Sequence, residues 1–347
     1  MEHTEILKEI PGPLLQWYDS NARVLPWREN PEPYRVWVSE IMLQQTRVEA
    51  VKPYYERFLE ALPTVKDLAE APEELLLKLW EGLGYYNRVR NLQKGAQAVM
   101  ERFGGQIPAS FEHLRSLPGI GDYTAGAISS IAFGLHHPAV DGNVLRVISR
   151  ILCSHENILD AKVKKEMETE IQAIIPERAG DFNQSLMELG ATVCLPNGAP
   201  KCLSCPLNHL CLGYAQGEAS LLPVKLQKKP RRIQERTLFL VFCEEKAALQ
   251  KRPSKGLLAG MWEPPAAECR LSEQEAKKYL ESIGICVKKM MPLPDSRHIF
   301  SHLEWKMSAW LVDAEAFAPG FLWADRVDLC QTYALPSAFK AYFPYLR

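Results

Sequence analysis

No apolar run in this chain is long enough to span a bilayer, and its first residues carry no basic segment leading into an apolar stretch. Those two absences argue against an integral membrane protein and against a secreted one. They point to a reducing compartment, with a bacterial cytoplasm as the natural case. Charge of one sign is lacking too: 41 Lys and Arg stand against 42 Asp and Glu, a formal net charge of −1. The total therefore does not advertise a nucleic-acid partner, although only local charge meets phosphates. No internal repeat or low-complexity tract is present, so no repeat array is expected. What remains is ordinary for a globular protein, with 47% apolar and 24% charged residues, and 347 residues leave room for two cores.

Strand-like alternation is scarce from about residue 4 to residue 220. Leu75, Leu76, Leu79, Trp80 and Leu83 follow the spacing of a core-facing helical stripe. Asp67 and Ser110 stand where helices with acidic first turns begin. Residues 223–236 then hold six cations against Glu235 alone, with two prolines and no helical stripe, and read as an extended basic linker. Lying between two globular halves, such a segment suits a strap along a DNA backbone. Beyond it the texture changes. The run Arg236–Cys243 is β-rich, Trp305–Val312 alternates as a strand, Ser272–Ile283 reads as an amphipathic helix, and Leu335–Tyr345 as a short one. The expected fold is multidomain: an all-α domain over 1–222, the linker 223–236, and a smaller α+β domain over 237–347.

Three features carry chemistry. Leu117-Pro118-Gly119-Ile120-Gly121-Asp122-Tyr123 reads as a glycine hairpin opening into a helix. Gly119 and Gly121 can take positive φ and let backbone approach a ligand, and the helix N-terminus behind them suits a phosphate. One helix later, Asp141-Gly142-Asn143-Val144 places a carboxylate in a turn. Each motif alone is also a common turn, the second with Asn143 as a helix cap. The third feature is Cys194, Cys202, Cys205 and Cys211, separated by seven, two and five residues with prolines interleaved. Without a signal peptide these thiols read as metal ligands, for zinc or an iron–sulfur cluster. The single Cys-x-x-Cys pair leans toward a four-iron cluster without settling it. Cys153, Cys243, Cys269, Cys286 and Cys330 read as ordinary buried or surface thiols.

Taken in order, these motifs resemble the helix-hairpin-helix DNA glycosylases, and within them the adenine DNA glycosylase (MutY) branch. The similarity runs nearly end to end. It adds Leu25-Pro26-Trp27-Arg28, Val38 to Thr46, Gly82-Leu83-Gly84-Tyr85-Tyr86, and Phe300-Ser301-His302 in the second domain. The resemblance implies a helical glycosylase domain, a six-helix barrel with a module for one [4Fe-4S] cluster on the four cysteines, followed by a Nudix-like domain. It departs in the first cysteine gap, usually six residues in the family and seven here, which a loop absorbs locally.

The activity implied is removal of adenine mispaired with 8-oxoguanine or guanine in duplex DNA, by a monomer, leaving an abasic site. Glu40 matches the family's general acid toward adenine N7, and its apolar setting favours the protonated form. Asp141 matches the carboxylate that stabilises or attacks the oxocarbenium-like sugar. Tyr123 and Asn143 match positions lining that site. Endonuclease III-type relatives carry a lysine at the Tyr123 position, and a phenol cannot form their Schiff base. Gln45 and Tyr85 match the residues that wedge into the duplex during base extrusion. Thr46 and Leu83 match neighbours of the opposite base, and Arg23, Trp27, Arg28 and Gln184 match the adenine pocket. Phe300, Ser301 and His302 match an 8-oxoguanine recognition loop, with Ser301 accepting from N7–H. Lys201 is a candidate phosphate contact. The second domain lacks the Arg-Glu-x-x-Glu-Glu pattern that a hydrolytic Nudix site needs. Rival readings are a bifunctional endonuclease III-type glycosylase/lyase, a non-catalytic iron–sulfur DNA-binding protein, and a nucleotide pyrophosphohydrolase.

Overall fold

The computed structural model describes residues 3–226 and 231–346. The chain divides into two compact units: the described residues up to Glu70 with those from Asn91 to Leu226, and Ala71–Arg90 with those from Arg231 on. Of the basic segment, residues 227–230 lie outside the described residues, while Arg232 to Arg236 open a β-strand rather than extending a linker.

The first unit has no strand among its described residues, only an isolated bridge between Asn157 and Val224. Its helices start where side chains satisfy free N–H groups. Ser110 caps Phe111–Arg115 by accepting from His113, and Asp160 caps Ala161–Gln172. Asp67 stands one turn inside its helix, which Thr64 caps by accepting from the Asp67 N–H at 3.2 Å. One core gathers Ile6, Ile10 and Leu14 with Val144, Val147, Ile148, Ile151, Met167, Phe182 and Leu186. Between the helices Asp122–Phe133 and Gly142–Ile151 the chain passes so close to Gly126 that an added Cβ would lie 1.9 Å from the Pro138 carbonyl oxygen. Gly126→Ala is therefore expected to destabilise the fold by about 1–3 kcal/mol through overpacking. Urea unfolding checks this, and unchanged stability would mean the loop carrying Pro138 yields freely.

Among the described residues the second unit is built on a seven-stranded sheet. Its strands are β1 (Arg232–Cys243), β2 (Lys246–Lys251), β3 (Trp262–Glu263), β4 (Ala266–Ala267), β5 (Val287–Ile299), β6 (Leu303–Ala314) and β7 (Leu322–Ala324). The main order is β3-β2-β1-β6-β5, with β1 and β6 parallel and the other pairs antiparallel. The β1 run is continuously apolar because both its faces are covered. Leu238 and Leu240 face a core with Leu335, Phe339 and Tyr342, and Phe239 and Val241 face one with Ala276 and Leu280 of the helix Glu273–Ser282. That helix opens with a full capping box between Ser272 and Glu275. The C-terminal segment is a 3₁₀ stretch, Ser337–Tyr342, followed by the short helix Phe343–Leu346, rather than one helix. In the stretch 71–90 the buried stripe is Leu76, Leu77, Trp80 and Leu83, and Leu75 is exposed, one position off the expected face. Lys78 donates to the Tyr333 carbonyl at 3.2 Å and the Leu335 N–H to Glu81 at 3.2 Å.

Candidate active site

The helix Pro33–Leu43 is buried along almost its whole length, from Tyr34 to Met42. Glu40 lies in that run, 5% exposed. Among the described residues its hydrogen-bond donor is the hydroxyl of Tyr123, from the first turn of Asp122–Phe133. Burial pushes the Glu40 carboxyl up to about 7; the Tyr123 hydroxyl and the Arg28 charge oppose this, and the Asp141 charge adds to it. Burial, with the two carboxylates, also holds the Tyr123 phenol well above its ordinary range.

Asp141 is bound differently. It is the N-cap of the helix Gly142–Ile151, with Asn143 inside the first turn rather than serving as the cap. Oδ1 accepts from the Asn143 and Val144 N–H groups, both at 2.8 Å, and Oδ2 from Asn143 Nδ2 at 2.6 Å. Burial raises its carboxyl above the usual value, against the pull of those N–H donors. Arg146, buried one turn on, donates to Asn143 Oδ1 at 2.9 Å and to the Cys194 carbonyl at 2.9 Å, so the cap is braced from behind.

Glu40, Tyr123, Asp141 and Asn143 line one cleft of about 460 Å³, together with Arg23, Trp27, Arg28, Gln45, Thr46 and Gln184. The structure thus brings ten of the sequence-derived residues to one place. It adds Glu188, which sequence reasoning missed. Glu188 is fully buried, receives Arg23 Nε at 2.5 Å and Arg28 Nη2 at 2.9 Å, and Arg28 Nε reaches Gln184 Oε1 at 3.1 Å. Burial would raise the Glu188 carboxyl, but the two guanidiniums hold it below the usual range. Its spacing of four from Gln184 puts both on one helix face, a signal present in the sequence. Met187 also enters, its sulfur 3.7 Å from the Tyr123 hydroxyl.

The hairpin glycines stand apart from this cleft lining and are exposed. Gly119 has φ +80, and a Cβ there would lie 2.7 Å from Asn91 Cβ. Gly121 is extended (φ −96, ψ −178), so positive φ is required only at the first. In the second unit Leu83 is buried, and Tyr85 is 47% exposed at φ +49. Arg88 steadies that loop by donating to the carbonyls of Leu83 and Gly84 at 3.1 and 3.2 Å. Ser301 and His302 are exposed in the β5–β6 turn, 3.2 Å apart through Oγ and Nδ1. Phe300 packs edge-on against Trp305 with centroids 4.9 Å apart.

Residues 38–176 match the model of the HhH-GPD superfamily base excision DNA repair proteins, and residues 237–344 that of the NUDIX domain. The adenine DNA glycosylase of Mus musculus is 36% identical over 95% of this chain and 76% of its own length. That of Homo sapiens is 36% identical over 96% and 73%. The chain belongs to the adenine DNA glycosylase family. Endonuclease III in a non-covalent DNA complex superposes on 62% of it, covering 99% of that chain, at 26% identity and TM-score 0.54. The fold is accordingly a helical HhH-GPD domain followed by a NUDIX-like domain with a mixed sheet.

This family member brings Cys194, Cys202, Cys205 and Cys211 to one cavity, walled by Val147, Ile151, Leu189 and Leu207. The buried Arg150 guanidinium lies 3.2 Å from Cys194 Sγ and 2.9 Å from the Leu195 carbonyl. Burial raises the thiols of Cys202 and Cys211 and pushes Cys205 up to about 12. Four convergent thiols, three of which burial keeps from ionising on their own, beside the Arg150 cation, fit a group whose metal charge draws off their protons. No helix among the described residues is long and apolar enough to cross a membrane.

Proposed function

We propose that this enzyme hydrolyses the N-glycosidic bond of adenine paired with 8-oxoguanine, or with guanine, in duplex DNA, and leaves an abasic site without cutting the strand. The observation that carries this reading is the unequal treatment of two carboxylates in one cleft. Glu40 accepts an O–H and is pushed up to about 7, whereas Asp141, also raised by burial, is drawn back toward its charged form by three N–H bonds at a helix N-terminus. The pair therefore supplies one acid and one anion.

Adenine leaves poorly as an anion. The Glu40 proton moves to adenine N7 as the C–N bond lengthens, and the Asp141 carboxylate offsets the positive charge growing on the sugar before water adds to C1′. Arg23, Arg28, Gln184 and Glu188 present donors and an acceptor to the extruded base, with Trp27 beside it. Extrusion falls to Gln45 and Tyr85, both in left-handed backbone, with Thr46 and Leu83 toward the opposite base. The hairpin at Gly119 and Gly121, and Lys201 in the cysteine loop, meet backbone phosphates. Phe300, Ser301 and His302 read the oxidised guanine. The four cysteines would hold one [4Fe-4S] cluster, whose contribution is to fix the fold of the loop they span. The enzyme works as a monomer in the cytoplasm.

The test is base release from a duplex with one adenine opposite 8-oxoguanine, analysed with and without alkali, and with borohydride trapping in parallel. Strand breaks only after alkali, with no trapped adduct, are expected, because Tyr123 has no amine. Breaks without alkali would place the chain with the lyases, and none under either condition would leave DNA binding alone.

A further inference from the structure

Away from the cleft and the four-cysteine cavity, another set of metal-ligating side chains meets on the first unit. The sulfur of Cys153, a ring nitrogen of His155 and a carboxylate oxygen of Glu218 all lie within 4.8 Å of one another. They come from two segments, one just past the helix Gly142–Ile151 and one just past the short helix Leu212–Ala215. His155 Nε2 is 2.9 Å from Glu218 Oε2, and Cys153 Sγ is 3.3 Å from the side-chain oxygen of Gln216. A thiol, an imidazole, a carboxylate and a carboxamide oxygen thus converge.

The backbone under these groups is fixed. Cys153 has φ +51, in the left-handed region at the position following the helix C-cap, Leu152. The next N–H, of Ser154, returns to the Ser149 carbonyl at 2.8 Å. Glycine is the residue that this turn favours, and any side chain there costs about 1–2 kcal/mol. What cysteine adds is a thiol beside an imidazole and a carboxylate. On the other side the N–H groups of Glu218 and Ala219 both donate to the Gly213 carbonyl, at 2.7 and 2.9 Å.

We propose that Cys153, His155 and Glu218 form a zinc site separate from the four-cysteine cavity. Mixed sulfur, nitrogen and oxygen donors suit this borderline-soft, tetrahedral ion. Bond lengths of about 2.0–2.3 Å place neighbouring ligand atoms roughly 3.3–3.6 Å apart, so the His155–Glu218 pair opens slightly and the thiol swings in. Zn²⁺ displaces the Cys153 proton to solvent, and thiolate, carboxylate and neutral imidazole then balance its two charges. Gln216 Oε1 or a water fills the fourth position. The ion ties the end of the helix that Asp141 caps to the helix that Cys211 caps. This inference does not depend on the base substrate.

The full chain as purified is titrated with Zn²⁺ against a chromogenic chelator, then with Co²⁺, alongside Cys153→Gly and His155→Ala. Cys153→Gly suits the left-handed turn and so should keep its fold. The expected result is one ion bound by the parent beyond the number bound by Cys153→Gly, with affinity reduced at least about tenfold in His155→Ala. The parent should also show a thiolate-to-cobalt charge-transfer band that Cys153→Gly lacks, and a zinc-dependent rise in Tm that Cys153→Gly does not share. Zinc held in the four-cysteine cavity would be the same in all three proteins. Equal uptake by parent and Cys153→Gly, or none by either, overturns the site.

Discussion

Asp141→Asn is expected to slow base release by about 10²–10³-fold, the scale on which removing one preorganised charge-stabilising group acts, while the fold and binding to the mispaired duplex persist. The contacts of Asp141 explain this separation. Its Oδ1 takes the two backbone N–H groups that make it a cap, and an asparagine can present its one oxygen to the same pair at 2.8 Å. Asparagine ranks with aspartate as a cap, so the helix start survives. The second position, where Oδ2 receives Asn143 Nδ2 at 2.6 Å, becomes an NH₂ facing an NH₂. That conflict costs about 1–3 kcal/mol, because Asn143 Oδ1 is held by Arg146 at 2.9 Å and its amide cannot simply turn over; small shifts of the two side chains relieve part of it. What cannot be relieved is the loss of the negative charge that the proposed function sets against the sugar. Single-turnover release, fluorescence-anisotropy binding and a thermal melt, run on one preparation, separate the three effects. Turnover near that of the parent would remove Asp141 from the chemistry, and a collapsed melt would show that the cap, not the charge, was lost.

The cleft was largely legible in the chain because its chemistry sits in short motifs. Glu40, Tyr123 and Asp141 each stand at a helix start or within a buried helix whose boundaries local sequence dictates. The cysteine loop was legible for the same reason: its four thiols fall within eighteen residues. Glu188 was not, because a glutamate in a helix reads as a solvated position until two arginines from the segment Arg23–Arg28 are seen to close on it. Arg146 and Arg150 escaped for a like reason. On a helix they look like surface cations, yet they are 4% and 2% exposed because the carbonyls of Gly190, Cys194, Leu195 and Leu222 converge on them. The association of 71–90 with the second unit rests on partners some 250 residues away, such as Lys78 with Tyr333, and periodicity holds no trace of it. The shift from Leu75 to Leu77 as the buried leucine is a smaller case of tertiary packing choosing among adjacent apolar residues.

Glu40→Gln should cost more in rate than any other single change, about 10²–10⁴-fold, because a carboxamide has no proton to give. The replacement is close to isosteric, and its Oε1 still accepts the Tyr123 hydroxyl. In the parent, the proton on Glu40 is present below about 7 and lost above it, so activity should fall as pH rises through that value. Activity should also fall at low pH, where Asp141 takes up a proton, giving a bell-shaped profile. Tyr123→Phe removes the O–H that stabilises the ionised Glu40, so the Glu40 pKa rises and the alkaline limb moves to higher pH. The sign for stability follows from the same raised value. A carboxyl whose folded pKa lies above its unfolded one contributes stability in full below about 4.5, and that contribution is lost as pH rises through about 7. Glu40→Gln, which cannot ionise, should therefore gain on the parent in Tm between those limits and hold that gain at higher pH. A variant with an unchanged rate, or a parent whose alkaline limb stays put in Tyr123→Phe, would take the proton-donor role away from Glu40. A Tm difference with no pH dependence would mean that Glu40 is not the buried acid the geometry describes.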